Sequence, residues 1–376
     1  MLMLYLMTKR SWFAVVLTLI IGILGLGYLY SQGRQEEPGK NTKVTREQPS
    51  ITQKDMKVIA QNLNIPWEVV FLPDGEILIT ERPGTLLLIK NKQKIPIEGV
   101  EHIGEGGLLG LAIHPEFNKN HWVYLYLTTK SHSGLTNKVM RYQLDGNKLS
   151  NGQTILQGIA GSSNHDGGRI AFDPDGYLYI TTGDAQNPDS AQDRNSLNGK
   201  ILRIKDDGNI PSDNPFRNAV FSYGHRNSQG LAWDDQKSLW ATEHGRSGIQ
   251  SGLDELNLIE KGKNYGWPVI QGDEKREGMV SPVIHSGSNT TWAPSGAVFH
   301  EGSIFFVGLR GETLYKYKIA DKSFKEYFKG QFGRLRTVTA NPDGNLYIIT
   351  NNTDGRGTPR ENDDKLIKVN PNTLKD

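Results

Sequence analysis

The sequence predicts an all-β protein, a six-bladed β-propeller of four-stranded antiparallel blades, and three observations carry that expectation. A hairpin-like phrase recurs six times, further strand-like runs lie between the copies, and 42 Gly and 17 Pro in 376 residues are more chain punctuation than a helical protein carries. The copies are Glu68–Gly84, Gly110–Thr128, Arg169–Asp184, Gly230–Gly245, Ser295–Gly311 and Arg336–Asn352. Each joins two apolar or aromatic runs through a turn. In three copies the turn is Pro-Asp-Gly (73–75, 174–176, 342–344), where Pro presets φ and Gly accepts the positive φ a tight turn needs. Runs such as Thr85–Lys90, Lys138–Tyr142, Lys200–Ile204, Leu314–Lys318 and Lys365–Val369 supply the remaining strands, about four per unit. A four-stranded sheet of this size cannot bury both faces alone, so six must stack, and radial closure leaves the shortest free edges. The runs Met56–Asn62 and Lys365–Val369 are expected to meet in one blade and close the ring. An open two-sheet sandwich is the competing arrangement.

Before the repeats, Lys9 and Arg10 precede an uncharged, mostly apolar run from Ser11 to Tyr30. Its length of about 20 residues suffices to cross a bilayer as a helix, and the flanking cations keep the N-terminus in the cytoplasm. Residues 1–30 are therefore expected to be a signal or anchor segment, retained because no clear cleavage site follows; cleavage would leave a secreted protein. Residues 31–54, rich in Gln, Glu, Lys and Thr, form a linker, and 55–372 form the propeller. The expected location is extracytoplasmic, attached to the membrane through the N-terminal segment. The chain has no Cys, which rules out disulfides, thiolate catalysis and Cys-ligated metal sites. A net charge of +2 offers no field for nucleic acid, so no nucleic-acid partner is expected.

Chemistry-bearing residues cluster in loops beside the hairpins, where a propeller gathers them at one mouth of its channel. The motifs are Gly104-Glu105-Gly106-Gly107-Leu108-Leu109-Gly110, His114-Pro115, Asn164-His165-Asp166-Gly167-Gly168-Arg169 and Gly224-His225-Arg226-Asn227-Ser228-Gln229-Gly230-Leu231. They continue with Asp254-Glu255-Leu256-Asn257, Asn264-Tyr265-Gly266-Trp267-Pro268, Ala293-Pro294-Ser295-Gly296 and Gly333-Arg334-Leu335-Arg336. Over 56–369 these motifs, in this order, resemble the soluble glucose/sorbosone dehydrogenases, which oxidise aldose sugars with pyrroloquinoline quinone (PQQ) and Ca2+.

A histidine titrates near neutral pH and can accept a proton, and His165 is the expected general base. The resemblance implies that it takes the proton of the sugar C1 hydroxyl while hydride moves to the quinone and electrons pass on to an external acceptor. Arg226 is expected to stabilise negative charge on the quinone oxygens, with Asn227 on the same edge. The resemblance implies that Glu105, Thr291, Arg310, Arg334 and Arg336 complete the cofactor set; Arg334 and Arg336, two apart, would share one face of a strand. For Ca2+ the resemblance implies the carbonyls of Gly245 and Arg246, with Asp254 in support; hard oxygen donors in a loop suit that ion. His102, His114, His225 and His244 are expected to be structural.

Three positions depart from the family. Arg310 replaces a Lys, Glu105 replaces a Gln of the glucose-oxidising members, and Asn164 replaces an acidic neighbour of the base. Loss of that acid is expected to weaken support for an imidazolium at His165, with Glu105 able to supply a compensating charge from a different position. Glucose specificity is accordingly not expected, and the short loops are nearer to the aldose sugar dehydrogenases. Two other functions compete: a non-catalytic carbohydrate-binding or surface scaffold, which would not need a base and several cations at one mouth, and a metal-dependent lactonase, which needs acidic ligands deep in the channel.

Overall fold

The computed structural model describes residues 56–374 apart from 133, 249 and 250. The expected anchor and linker lie outside the described residues. Among the described residues no helix is long and apolar enough to cross a membrane.

Six four-stranded antiparallel sheets follow one another along the chain. The first contains β2 (Pro66–Phe71), β3 (Ile77–Glu81), β4 (Thr85–Leu88) and β5 (Gln93–Pro96). The second contains β6 (Leu108–Ile113), β7 (Trp122–Ser131), β8 (Gly134–Asp145) and β9 (Lys148–Ala160). The third is β10 (Ile170–Phe172), β11 (Leu178–Thr182), β12 (Lys200–Ile204) and β13 (Val220–Tyr223). The fourth is β14 (Ser228–Trp233), β15 (Leu239–Glu243), β16 (Glu255–Ile259) and β17 (Ile284–His285). The fifth is β18 (Pro294–His300), β19 (Ser303–Gly308), β20 (Leu314–Lys318) and β21 (Phe324–Tyr327). The sixth combines β22 (Leu335–Ala340), β23 (Leu346–Thr350) and β24 (Leu366–Val369) with β1 (Met56–Ala60) from the other end of the described chain.

The expected closure is thus realised: β1 pairs antiparallel with β24, Met56 opposite Val369. Adjacent blades pack through their inner strands, and β22 returns to β2. The Pro-Asp-Gly turns carry their glycines at φ 80°, 85° and 77° (Gly75, Gly176, Gly344), as the sequence required. Buried side chains join neighbouring blades. Leu78, Leu86 and Leu88 of the first meet Leu108, Leu111 and Leu125 of the second, and fully burying each such side chain contributes roughly 1.5–3 kcal/mol.

One feature of the inner strands aims the site. In five of the six inner hairpins the register shifts at the start of the first strand, at Pro66/Glu68, Leu108/Leu111, Ser228/Gly230, Pro294/Ala297 and Leu335/Thr337. A bulge bends the strand and re-aims the side chain inside it. Gln229 and Arg336 sit in two of these bulges. Arg334 precedes β22 and Arg336 lies in its bulge, so the two do not share a strand face by simple alternation.

Candidate active site

The loops leading into the inner strands, together with those leaving β15, β19 and β23, surround a cavity of about 310 Å3. Ten of the eleven residues singled out from the sequence line it: Glu105, His165, Arg226, Gly245, Arg246, Asp254, Thr291, Arg310, Arg334 and Arg336. Asn227 does not. It is buried beneath the wall, and its Oδ1 accepts the Gly167 N–H at 3.0 Å, which ties it to the loop carrying His165.

His165 has φ 64°, a left-handed conformation that few non-glycine residues adopt. Two carboxylates hold it there. Its backbone N–H donates to Glu105 Oε2 at 2.9 Å, and Nδ1 lies 2.7 Å from Asp184 Oδ1. Asp184 is only 1% exposed, and its Oδ2 accepts the Trp267 Nε1–H at 2.9 Å. With Nδ1–H donating to a carboxylate, the Nε2 lone pair of His165 is free to take a proton. The acid expected to be missing beside the base is therefore supplied from another loop. Gly183 makes that approach possible, because a β-carbon there would stand 1.9 Å from the His165 carbonyl oxygen.

Arg226 donates from Nη2 to Ser247 Oγ at 2.8 Å, and its guanidinium carbon lies 5.3 Å from the centre of the Trp267 ring. His225 beside it is fully buried between Ser222 and Glu243, and Glu243 also accepts the Arg226 backbone N–H. Arg334 pairs with Asp354 at 2.9 Å, and Arg310 reaches Ser251 Oγ at 3.1 Å. Arg336 is held by Gln229 Oε1 at 2.8 Å and by Asn351 Oδ1 at 3.1 Å; burial lowers it to about 9, with Arg82 and Arg334 adding to the shift. Burial likewise lowers Arg226. Burial raises Glu105, but His244, Arg356 and the His165 N–H outweigh it and hold the carboxyl at about 2.

The cavity suits a ligand with several negative groups. Arg226, Arg246, Arg310, Arg334, Arg336 and Arg356 all face it, and the buried Nε atoms of Arg226, Arg246 and Arg334 have no partner among the described residues. Such donors are expensive to leave unpaired, and a tricarboxylate such as PQQ offers acceptors for them. A cation would rest mainly on backbone oxygens, because the described residues contain no cluster of three or more His, Asp or Glu that could hold a metal. Asp254 is engaged already: Oδ1 accepts Gly245 N–H, and Oδ2 accepts Thr291 Oγ1–H and the N–H groups of Trp292 and Ala293, all at 2.6–2.9 Å. It fixes the Gly245 loop, and Thr291 serves it from the cavity wall. A β-carbon at Gly245 would stand 2.3 Å from the carbonyl oxygens of Gly252 and Leu253, so only glycine lets that loop fold so tightly that carbonyl groups gather. This cradle is compatible with Ca2+ held by carbonyls.

Asp184 and Arg356 lie outside the motifs read from the sequence, Gln229 falls within one of them without an assigned role, and His244, expected to be structural, lines the cavity. Asp184 does carry a signal, since it is the last residue of the third hairpin phrase, the level at which the fourth phrase ends in Gly245 and the fifth holds Arg310. A larger cavity of about 580 Å3 opens at the far ends of the inner strands, among Val69, Ile113, Phe172 and Trp233. Its one buried cation, Arg169, is spent on Glu68, the Gln229 carbonyl and Thr337 Oγ1.

The model of the glucose/sorbosone dehydrogenases matches residues 63–363. The chain belongs to this family. An aldose sugar dehydrogenase of Escherichia coli is 32% identical over 84% of the chain and 93% of its own length. The PQQ-bound aldose sugar dehydrogenase of Streptomyces coelicolor superposes with a TM-score of 0.77 at 40% identity, covering 84% of this chain and 97% of that one. Quinoprotein glucose dehydrogenase B of Acinetobacter calcoaceticus is 34% identical over 62% of the chain and 56% of its own length.

Proposed function

We propose that the chain oxidises the C1 hydroxyl of aldose sugars to the lactone with PQQ and Ca2+, and passes the electrons to an external acceptor. The observation that carries this reading is the single cavity in which a carboxylate-oriented histidine faces six arginines. A scaffold would have no use for that arrangement. Family membership and the PQQ-bound relative support the same reading.

In this reading Arg226, Arg310, Arg334 and Arg336 would hold the carboxylates and oxygens of the quinone, and the carbonyls of Gly245 and Arg246 would hold Ca2+. The bound quinone supplies the two-electron acceptor for hydride. His165 takes the hydroxyl proton at Nε2, while Asp184 fixes the tautomer and stabilises the imidazolium that forms. Glu105, ionised across the working pH range, keeps the His165 backbone in place. The segment Ser11–Tyr30 would hold the enzyme on the outer side of the cell membrane; the mass of the purified native protein tests this, and a mature chain starting after residue 30 would refute the anchor.

The activity test is reconstitution of purified protein with PQQ and Ca2+, followed by dye reduction across a panel of aldoses and trapping of the lactone. Reduction with several aldoses is expected. No reduction with any aldose, while spectroscopy shows the quinone bound, would refute the proposal.

A further inference from the structure

Arg356 sits in the loop between β23 and β24, far in sequence from the base, and its side chain is 49% exposed at the cavity rim. Its guanidinium makes two contacts of one kind. Nη1 donates to Glu105 Oε1 and Nη2 to Asn164 Oδ1, each at 2.6 Å. Both acceptors bear on His165. Glu105 Oε2 holds the His165 N–H, and Asn164 is the preceding residue. The Glu105 and His165 loops are also joined backbone to backbone, Glu105 N–H to the Ser163 carbonyl at 2.9 Å. From below, the buried Arg82 holds the carbonyls of Gly104 and Gly106. Asp354 steadies the arginine loop, since Oδ1 accepts the Arg356 N–H and Oδ2 accepts Arg334 Nη2, each at 2.9 Å.

We infer that Arg356 is a positioning residue for the base: by clasping Glu105 and Asn164 it keeps His165 in its left-handed backbone conformation at the cavity wall. Without the clasp, the Glu105 side chain, 17% exposed, is free to turn to solvent and leave the His165 amide without its acceptor. A non-glycine residue at φ 64° persists only where its surroundings over-determine it. The ion pair, half-exposed on the arginine side, adds little to global stability. Its removal therefore reduces the precision of the base and leaves the fold unharmed, and small misplacements of a catalytic group are costly in rate.

The kinetic part of the test rests on the proposed dehydrogenase activity, whereas the exchange part does not. In Arg356→Ala, hydrogen exchange of a peptide spanning Gly161–Gly168 in the protein without cofactor is expected to speed up about tenfold at the His165 amide, with an unchanged melting temperature. In the protein loaded with PQQ and Ca2+, kcat is expected to fall roughly 10- to 100-fold while KM for the sugar moves less than about threefold. Arg356→Lys, which keeps one donor, should recover part of both effects. Unchanged exchange in Arg356→Ala overturns the inference whatever the rate does, because the guanidinium would then act directly on substrate or cofactor. Faster exchange with undiminished kcat overturns it too. Faster exchange in a protein whose wild-type form oxidises no aldose leaves the clasp standing and removes the dehydrogenase reading instead.

Discussion

Asp184→Asn is the perturbation that bears most directly on the proposed proton transfer. The wild-type carboxylate accepts two N–H groups, His165 Nδ1–H at 2.7 Å and Trp267 Nε1–H at 2.9 Å, and is only 1% exposed, so water cannot substitute for it. An amide has one acceptor end and one donor end. If its oxygen faces His165, its NH2 meets the Trp267 N–H, donor against donor. If it turns round, the NH2 forces Nδ1 to accept and moves the ring proton to Nε2, the nitrogen that must be free. Either orientation loses a charge-assisted bond, worth about 1.5–3 kcal/mol. Since each 1.36 kcal/mol is a factor of ten in rate, kcat/KM should fall roughly 10- to 150-fold. The assay is dye-linked aldose oxidation at saturating PQQ and Ca2+, with quinone affinity measured in parallel. That affinity should be unchanged, because Asp184 does not line the cavity. A folded Asp184→Asn enzyme within threefold of wild type would falsify the assignment of Asp184 as the partner of the base.

Other outcomes follow from the same geometry. His165→Ala should keep quinone affinity and lose roughly 10²- to 10⁴-fold in turnover, whereas Arg334→Ala should weaken quinone binding first; titration and steady-state rates on both variants separate the two roles. Chelation by EDTA should remove quinone binding and activity together and leave the propeller folded, as read by circular dichroism, because the proposed ion lies in a loop outside the core. Asp166→Asn should raise the melting temperature above pH 7 and leave it unchanged near pH 4. Burial raises the Asp166 carboxyl to about 6, and its Oδ2 has no partner among the described residues; the folded state then holds a proton that the unfolded chain releases, so wild-type stability falls as pH climbs through that window.

The propeller was legible because its information is local and repeated. Each hairpin phrase carries its own turn chemistry and apolar runs, and ring closure follows from two strand-like segments that need a partner. The bulges were not legible, since whether Arg336 follows simple alternation depends on a backbone register that no side-chain pattern announces. The cavity residues were visible where they fall in motifs. Asp184 and Arg356 act across loops from different blades, and the distance between Asn164 and the carboxylate that serves His165 instead is set by tertiary packing alone. The sequence neighbour of His165 departs from the family's acid, but its spatial neighbour is an acid, Asp184, which no local pattern announces.

The arginines pose a physical problem that also explains how the site is built. Six guanidinium groups around about 310 Å3 repel one another, and burial with Arg82 and Arg334 nearby already lowers Arg336 to about 9. Five of the six are given a restraint of their own: Asp354 for Arg334, Gln229 and Asn351 for Arg336, Ser247 for Arg226, Ser251 for Arg310, and Glu105 with Asn164 for Arg356. Only two of these restraints, Asp354 and Glu105, bring a compensating charge. The neutral oxygens hold geometry without discharging the cavity, so positive potential survives for an anionic ligand and the cations need little rearrangement when it arrives. Glu105 is the exception on the side of the base, and there its charge is spent twice, on Arg356 and on the His165 N–H. In the proposed reading one wall is left electropositive to receive a polyanion, while Glu105 with its partners orders the wall that carries His165.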